Sequence, residues 1–137
     1  MLIPLRNYSH YSICESNIKI DDLITHAAKN KIPAISLTDY RLLSGALEFS
    51  MKALRKGIQP IIGLDVDYID NLNRSTRLTL LCKNFDGYSN LCKLSTEFNT
   101  NPEFKLNISN INSYATGLIL ICGGLYSIFD CLLYTSP

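Results

Sequence analysis

Asp39 and Asp65 are the residues of this chain best placed to do chemistry. Each follows a short apolar run: Ala34 to Leu37 closes on the polar pair Thr38 and Asp39, and Ile61 and Ile62 lead through Gly63 and Leu64 to Asp65. A carboxylate at the C-terminal end of a parallel strand faces the mouth of a sheet or barrel, where it can hold a metal ion or move a proton. It can equally accept backbone N–H bonds and cap the helix that follows, which needs no chemistry. A second polar feature lies near the N-terminus, where Leu2 to Leu5 empties into Arg6, Asn7, Tyr8, Ser9, His10, Tyr11 and Ser12. Such a loop can wall a site, although a surface loop whose tyrosines pack on their rings is the plainer reading. Gly123 and Gly124 belong to neither GxGxxG nor a Lys-Ser/Thr phosphate loop, so they read as a tight turn. The five cysteines, at 14, 82, 92, 122 and 131, form no CxxC pair. They read as reduced thiols of a cytosolic protein rather than as zinc ligands.

The elements that carry the two aspartates lie between Ile32 and Gly63, which read as strand, loop, helix, strand. Leu43, Leu47, Met51 and Leu54 recur at intervals of four, four and three, with Ala46 and Ala53 beside them, and so line one helical face. Lys52, Arg55 and Lys56 crowd the last turn, and Gly57 supplies the left-handed conformation of a helix stop. Two apolar strands joined by one helix make a right-handed βαβ unit. Before it, Leu2 to Leu5 is predicted as a strand. Asp21 and Asp22 open a helix with Leu23, Ile24, Ala27 and Ala28 on one face, where His26 is a half-exposed packing residue. After it come a strand from Leu64 to Ile69, a turn over Asn71 to Ser75, and a strand from Leu78 to Cys82. Asn84 to Gly87 is a polar break that caps a helix bearing Tyr88, Leu91, Cys92 and Ser95. Asn99 to Asn112 reads as a loop, and Gly117 to Cys122 as a buried strand. The order β, α, β, α, β, β, α, β argues for an α/β sheet or barrel.

Composition narrows the function. At 137 residues, with 47% hydrophobic and 18% charged residues, the chain is one globular domain by length. A formal net charge of +1 excludes nucleic-acid binding through the whole surface, which needs a clear basic excess. No apolar run approaches the roughly 18 residues of a membrane span, and no signal-peptide core opens the chain, so a cytoplasmic protein is expected. The last seven residues, CLLYTSP, break the preceding register. They are expected to be a non-native tail, which leaves residues 1–130 as the domain.

Five ordered segments carry a family resemblance: PLRNYSHYS at 4–12, IKIDDLITHAAKNKIPAISLTD at 18–39, GALEFSMKALRKGIQPIIG at 45–63, LTLLCKNFDGYSNLCKLS at 78–95 and GLILICGG at 117–124. Together they resemble the N-terminal PHP domain of bacterial DNA polymerase III alpha subunits. The resemblance implies a partial, distorted (β/α) barrel, of which only the first several strands and helices are present, at the front of a longer protein. In metal-bearing members, histidines and carboxylates at the strand ends turn water into a nucleophile and neutralise phosphate oxygens.

Matched residue by residue, the family's His-x-His falls on Arg6 and Tyr8, and the carboxylate that follows falls on Glu15. The histidine of its Thr-Asp-His motif falls on Tyr40, directly after the matching Thr38 and Asp39. Its strand-end glutamate falls on Asp65. No histidine of the motif remains, and carboxylates without imidazole partners make a poor first-row metal cluster. These six positions are therefore expected to be vestigial, with no catalytic or metal-binding residue in the chain, and His10 is read as an ordinary hydrogen-bonding histidine. The resemblance implies a metal-free structural module that binds the proofreading exonuclease subunit and other holoenzyme subunits. DNA contact and the Mg²⁺ of nucleotidyl transfer belong to domains further along such a polymerase. The alternatives are an active PHP phosphoesterase or exonuclease, and an error-prone paralogue of the polymerase.

Overall fold

The computed structural model describes residues 2–122. Its elements run α1 (Ile20–Lys29), β1 (Ala34–Leu37), α2 (Ala46–Arg55), β2 (Gln59–Ile69), β3 (Ser75–Cys82), α3 (Phe85–Thr100), a 3-10 turn (Ile111–Ser113) and β4 (Leu118–Ile121). Two compact units divide the chain after Leu64, so the first half of β2 belongs to one and the second half to the other.

In the first unit β1 pairs in parallel with the start of β2, from Ala34 opposite Gln59 to Leu37 opposite Ile62, with α2 as the connection. This is the βαβ unit expected from the sequence. Ile20, Leu23, Ile24 and Ala27 of α1 pack with Ile35 and Leu37 of β1, Phe49 and Ala53 of α2, and Ile58. Phe49 is fully buried, and such an aromatic ring contributes about 1.5–3 kcal/mol by leaving water. The apolar stripe Leu47, Met51 and Leu54 is real but faces outward, because Ala46, Phe49 and Ala53 take the core side of α2.

Both helices of this unit stop in the same way. Ile32 N–H donates to the Ala27 carbonyl and Lys31 N–H to that of Ala28; Ile58 and Gly57 repeat the pattern on Ala53 and Leu54. Each stop places one residue in the left-handed region, Gly57 at φ +70° and Lys31 at φ +53°. Glycine takes that conformation freely, whereas lysine carries a cost from its Cβ.

The strand expected at Leu2 to Leu5 does not form. Ser36 N–H donates to the Pro4 carbonyl and Thr38 N–H to that of Asn7, so the segment does lie along β1. A regular ladder fails because Pro4 has no N–H, and the Ser36 carbonyl accepts from the Asn7 side chain at 3.1 Å.

In the second unit the rest of β2 neighbours β3, and β3 pairs antiparallel with β4, Thr79 opposite Ile121 and Cys82 opposite Leu118. Asn84 caps α3 as its type suggests, its Oδ1 accepting from Gly87 N–H at 3.0 Å. The helix runs to Thr100, past the expected loop boundary, and buries Leu91, Leu94 and Phe98 rather than a face centred on Tyr88. Nor is β4 a buried strand: Ile119 and Leu120 are about half exposed. Beside it lies an apolar cavity of about 320 Å³ lined by Leu78, Leu80, Leu94, Leu118 and Leu120. Gly123, Gly124 and the tail from Cys131 to Pro137 lie outside the described residues.

Candidate functional site: two buried carboxylates

Asp39 lies two residues beyond β1 and is 1% exposed. Its Oδ1 accepts from Ser9 N–H at 2.6 Å and from the Ser12 hydroxyl at 2.6 Å, and its Oδ2 accepts from the Ser9 hydroxyl at 2.7 Å. Ser9 and Ser12 are themselves buried. Ser12 N–H donates back to the Ser9 carbonyl at 3.0 Å, and this turn holds the two serines together. The Ser12 oxygen also accepts from Tyr40 N–H at 3.0 Å, and the Ser9 oxygen from Tyr11 N–H at 3.2 Å. Upstream, Asn7 N–H donates to Thr38 Oγ1 at 3.0 Å and the Thr38 hydroxyl returns to the Asn7 carbonyl at 3.1 Å. A continuous polar seam thus ties residues 7–12 to residues 36–40.

The helix-cap reading of Asp39 is corrected by this geometry. Gly45 stands at the start of α2 with no side-chain cap, and Asp39 instead caps the turn that precedes it by about thirty residues. Sequence reasoning missed Ser9 and Ser12 as its partners. Their spacing of three suits two hydroxyls on one side of a turn, but nothing local pairs that turn with Asp39.

Asp65 is fully buried inside β2 rather than at a strand end, since β2 continues to Ile69. Its Oδ1 accepts from the Thr79 hydroxyl of β3 at 2.7 Å. Leu64 and Val66 beside it are also fully buried, so both faces of the strand are covered at this point.

The other candidate positions serve local contacts. Arg6 Nε donates to the Tyr8 hydroxyl at 3.1 Å, and its guanidinium lies 5.7 Å from the Tyr8 ring centre. Arg41 lies 5.0 Å from the ring centre of Tyr40. Glu15 is exposed, with its N–H on the Ser12 carbonyl. His10 is exposed, donates its N–H to the Ile18 carbonyl and packs its ring 4.4 Å from that of Tyr11. With Cys14, Lys19, Asp21 and Glu48 it lines a shallow cleft. There Lys52 bridges Asp21 at 2.6 Å and Glu48 at 2.7 Å, and these bonds raise its pKa. His26 is exposed, beside Asn30.

A metal centre of the kind the fold implies asks for several His, Cys, Asp or Glu donors facing one point. Among the described residues no three of these types come together in that way. Three lone-pair directions of Asp39 already receive hydrogens, and a guanidinium and two phenols stand at positions 6, 8 and 40. This donor set does not fit such a centre.

A four-residue parallel pair joined by a helix, with polar side chains gathered where β1 ends, is a unit shared by (β/α) barrels and open α/β sheets. The model of the PHP domain matches residues 4–136, and the chain belongs to that family. Its curated relatives include the DNA polymerase III subunit alpha of Rickettsia felis, 37% identical over 124 residues, and that of Ureaplasma parvum, 38% identical over 122. The first match takes 88% of this chain and 10% of the relative, the second 89% and 12%. The chain thus spans about a tenth of the length of these relatives. Among solved structures it is similar to an amidohydrolase from Chromobacterium violaceum, with a TM-score of 0.54 and 21% identity over 66% of this chain and 32% of that one. A protein described as a metal-dependent phosphoesterase from Bifidobacterium adolescentis gives a TM-score of 0.52 at 11% identity, covering 83% of this chain and 43% of that one. These two likenesses show the fold: an α/β chain carrying part of a barrel-type architecture. No helix among the described residues is long and apolar enough to cross a membrane.

Proposed function

We propose that this chain is the N-terminal PHP region of a bacterial replicative DNA polymerase III alpha subunit, and that it acts without metal as a structural and partner-binding module in the cytoplasm. The observation that carries the metal-free part is Asp39, whose carboxylate is engaged by Ser9 and Ser12 rather than turned to an open mouth. The polymerase assignment is supported by the identity to alpha subunits along most of the chain. On this reading the partners are the proofreading exonuclease subunit and other holoenzyme subunits. DNA is bound, and Mg²⁺ used for nucleotidyl transfer, by domains that follow. A near-neutral chain agrees with protein partners better than with DNA.

Two experiments test this. Sequencing the gene downstream is expected to show one reading frame running on into paired aspartates of a polymerase palm; a separate downstream gene would contradict the assignment. Co-purification of that longer protein with the exonuclease subunit of the same organism is expected to survive chelation, and loss of the complex on chelator treatment would contradict a metal-free seat.

A further inference from the structure

The outward stripe of α2 has a register of its own. Leu47, Met51 and Leu54 are 72%, 48% and 63% exposed, and their spacing of four then three is the d–a–d spacing of a two-helix seam. In that register Glu48 and Arg55 both fall at e, the position that selects a partner by charge. Glu48 is already taken, since its Oε1 accepts from Lys52 at 2.7 Å and its Oε2 from the Tyr11 hydroxyl at 3.3 Å. Arg55 is exposed, with the exposed Lys56 beside it. The seam therefore presents apolar side chains and basic charge.

We propose that this face of α2 seats an amphipathic helix of a protein partner, one that carries carboxylates beside its own apolar seam. The proposal rests on the partner-binding reading above. A second copy of the chain is the poorer occupant. It would bring Arg55 against its own equivalent, or against a Glu48 whose two oxygens are engaged.

The test uses the whole chain and two labelled synthetic helices that share leucines at a and d. One carries glutamate at e and g, the other lysine. Fluorescence anisotropy is expected to show weak binding of the glutamate helix, about tenfold or more tighter than the lysine helix. Serine at all three of Leu47, Met51 and Leu54 should abolish binding. The double change Arg55→Glu and Lys56→Glu, which leaves the stripe intact, should reverse the preference. All five side chains are half or more exposed or lie on the surface, and circular dichroism checks that each variant keeps its fold. Binding of neither helix, or unchanged binding by the serine variant, would overturn the proposal. So would a concentration-dependent dimer by light scattering that the serine variant loses. Metal content measured on the same samples tests the underlying reading separately. A chain that holds metal yet binds the glutamate helix defeats only the metal-free reading, and a metal-free chain that ignores the helix defeats only the seat.

Discussion

Asp39 and Asp65 are both buried carboxylates near the ends of apolar strand runs, but they are held over very different stretches of chain. Asp39, in the first unit, takes its donors from Ser9 and Ser12, and so joins the N-terminal loop to the end of β1. Asp65, in the second, accepts from Thr79 on β3, the next strand of the same hairpin. The first carboxylate closes a loop of nearly thirty residues, and the second reinforces a pairing the turn already favours. A buried aspartate that follows an apolar run is therefore not one kind of object. Its role depends on whether its donors come from afar or from the adjacent strand.

The largest effect should follow from breaking the long-range tie. Asp39→Ala strands three buried donors and should cost about 3–5 kcal/mol in urea unfolding, enough to free residues 7–12 to rapid hydrogen exchange. Asp39→Asn, which keeps one acceptor, should cost less. Thr79→Val removes a hydroxyl that donates to Asp65 at nearly constant shape and should cost about 1–3 kcal/mol, with exchange quickened in the hairpin alone. If Thr79→Val proved as damaging as Asp39→Ala, the contrast between the two ties would collapse.

The helix stops give a smaller pair of opposite sign. Gly57→Ala forces a Cβ into the left-handed region and should lose about 1 kcal/mol, whereas Lys31→Gly relieves the same cost and should gain up to about as much. Thermal melts of the two variants check this directly.

The smallest effect lies in the β2–β3 turn. Burial pushes the Asp70 carboxyl up, but hydrogen bonds from the N–H groups and guanidinium of Arg74 and from Leu72 N–H outweigh it and hold the pKa below the usual range. A carboxyl lowered on folding stabilises above its ordinary pKa, near pH 4, and loses that contribution as pH falls through the depressed value. Asp70→Asn should thus melt slightly earlier than the parent at pH 7, and the gap should close on acidification.

Much of this fold was legible because its signals are local. Apolar runs marked β1, β3 and β4, Gly57 marked the end of α2, and Asn84 marked the start of α3. What sequence could not assign was which apolar face a helix buries. In α2 the regular leucine and methionine stripe is the outer one, and Ala46, Phe49 and Ala53 fill the core. The missing N-terminal strand has a similar lesson, since Asn7 competes for the carbonyl of Ser36 only once the fold brings residues 7 and 36 together. At the site, Asp39 was recognisable as a strand-end carboxylate, whereas Asp65 proved to lie inside β2, because the strand runs on to Ile69. Their donors were not recognisable, because hydrogen bonds between residues 9, 12 and 39 leave no periodic trace.

The central claim is that the carboxylate of Asp39 belongs to a serine clamp and not to a metal centre. It is tested most directly by elemental analysis of the whole chain, purified after growth with added zinc and manganese, together with calorimetric titration of both ions. The account predicts well under one ion per chain, no saturable binding, and a melting temperature unmoved by chelator. One or more ions retained per chain, with a melt lowered by their removal, would contradict it.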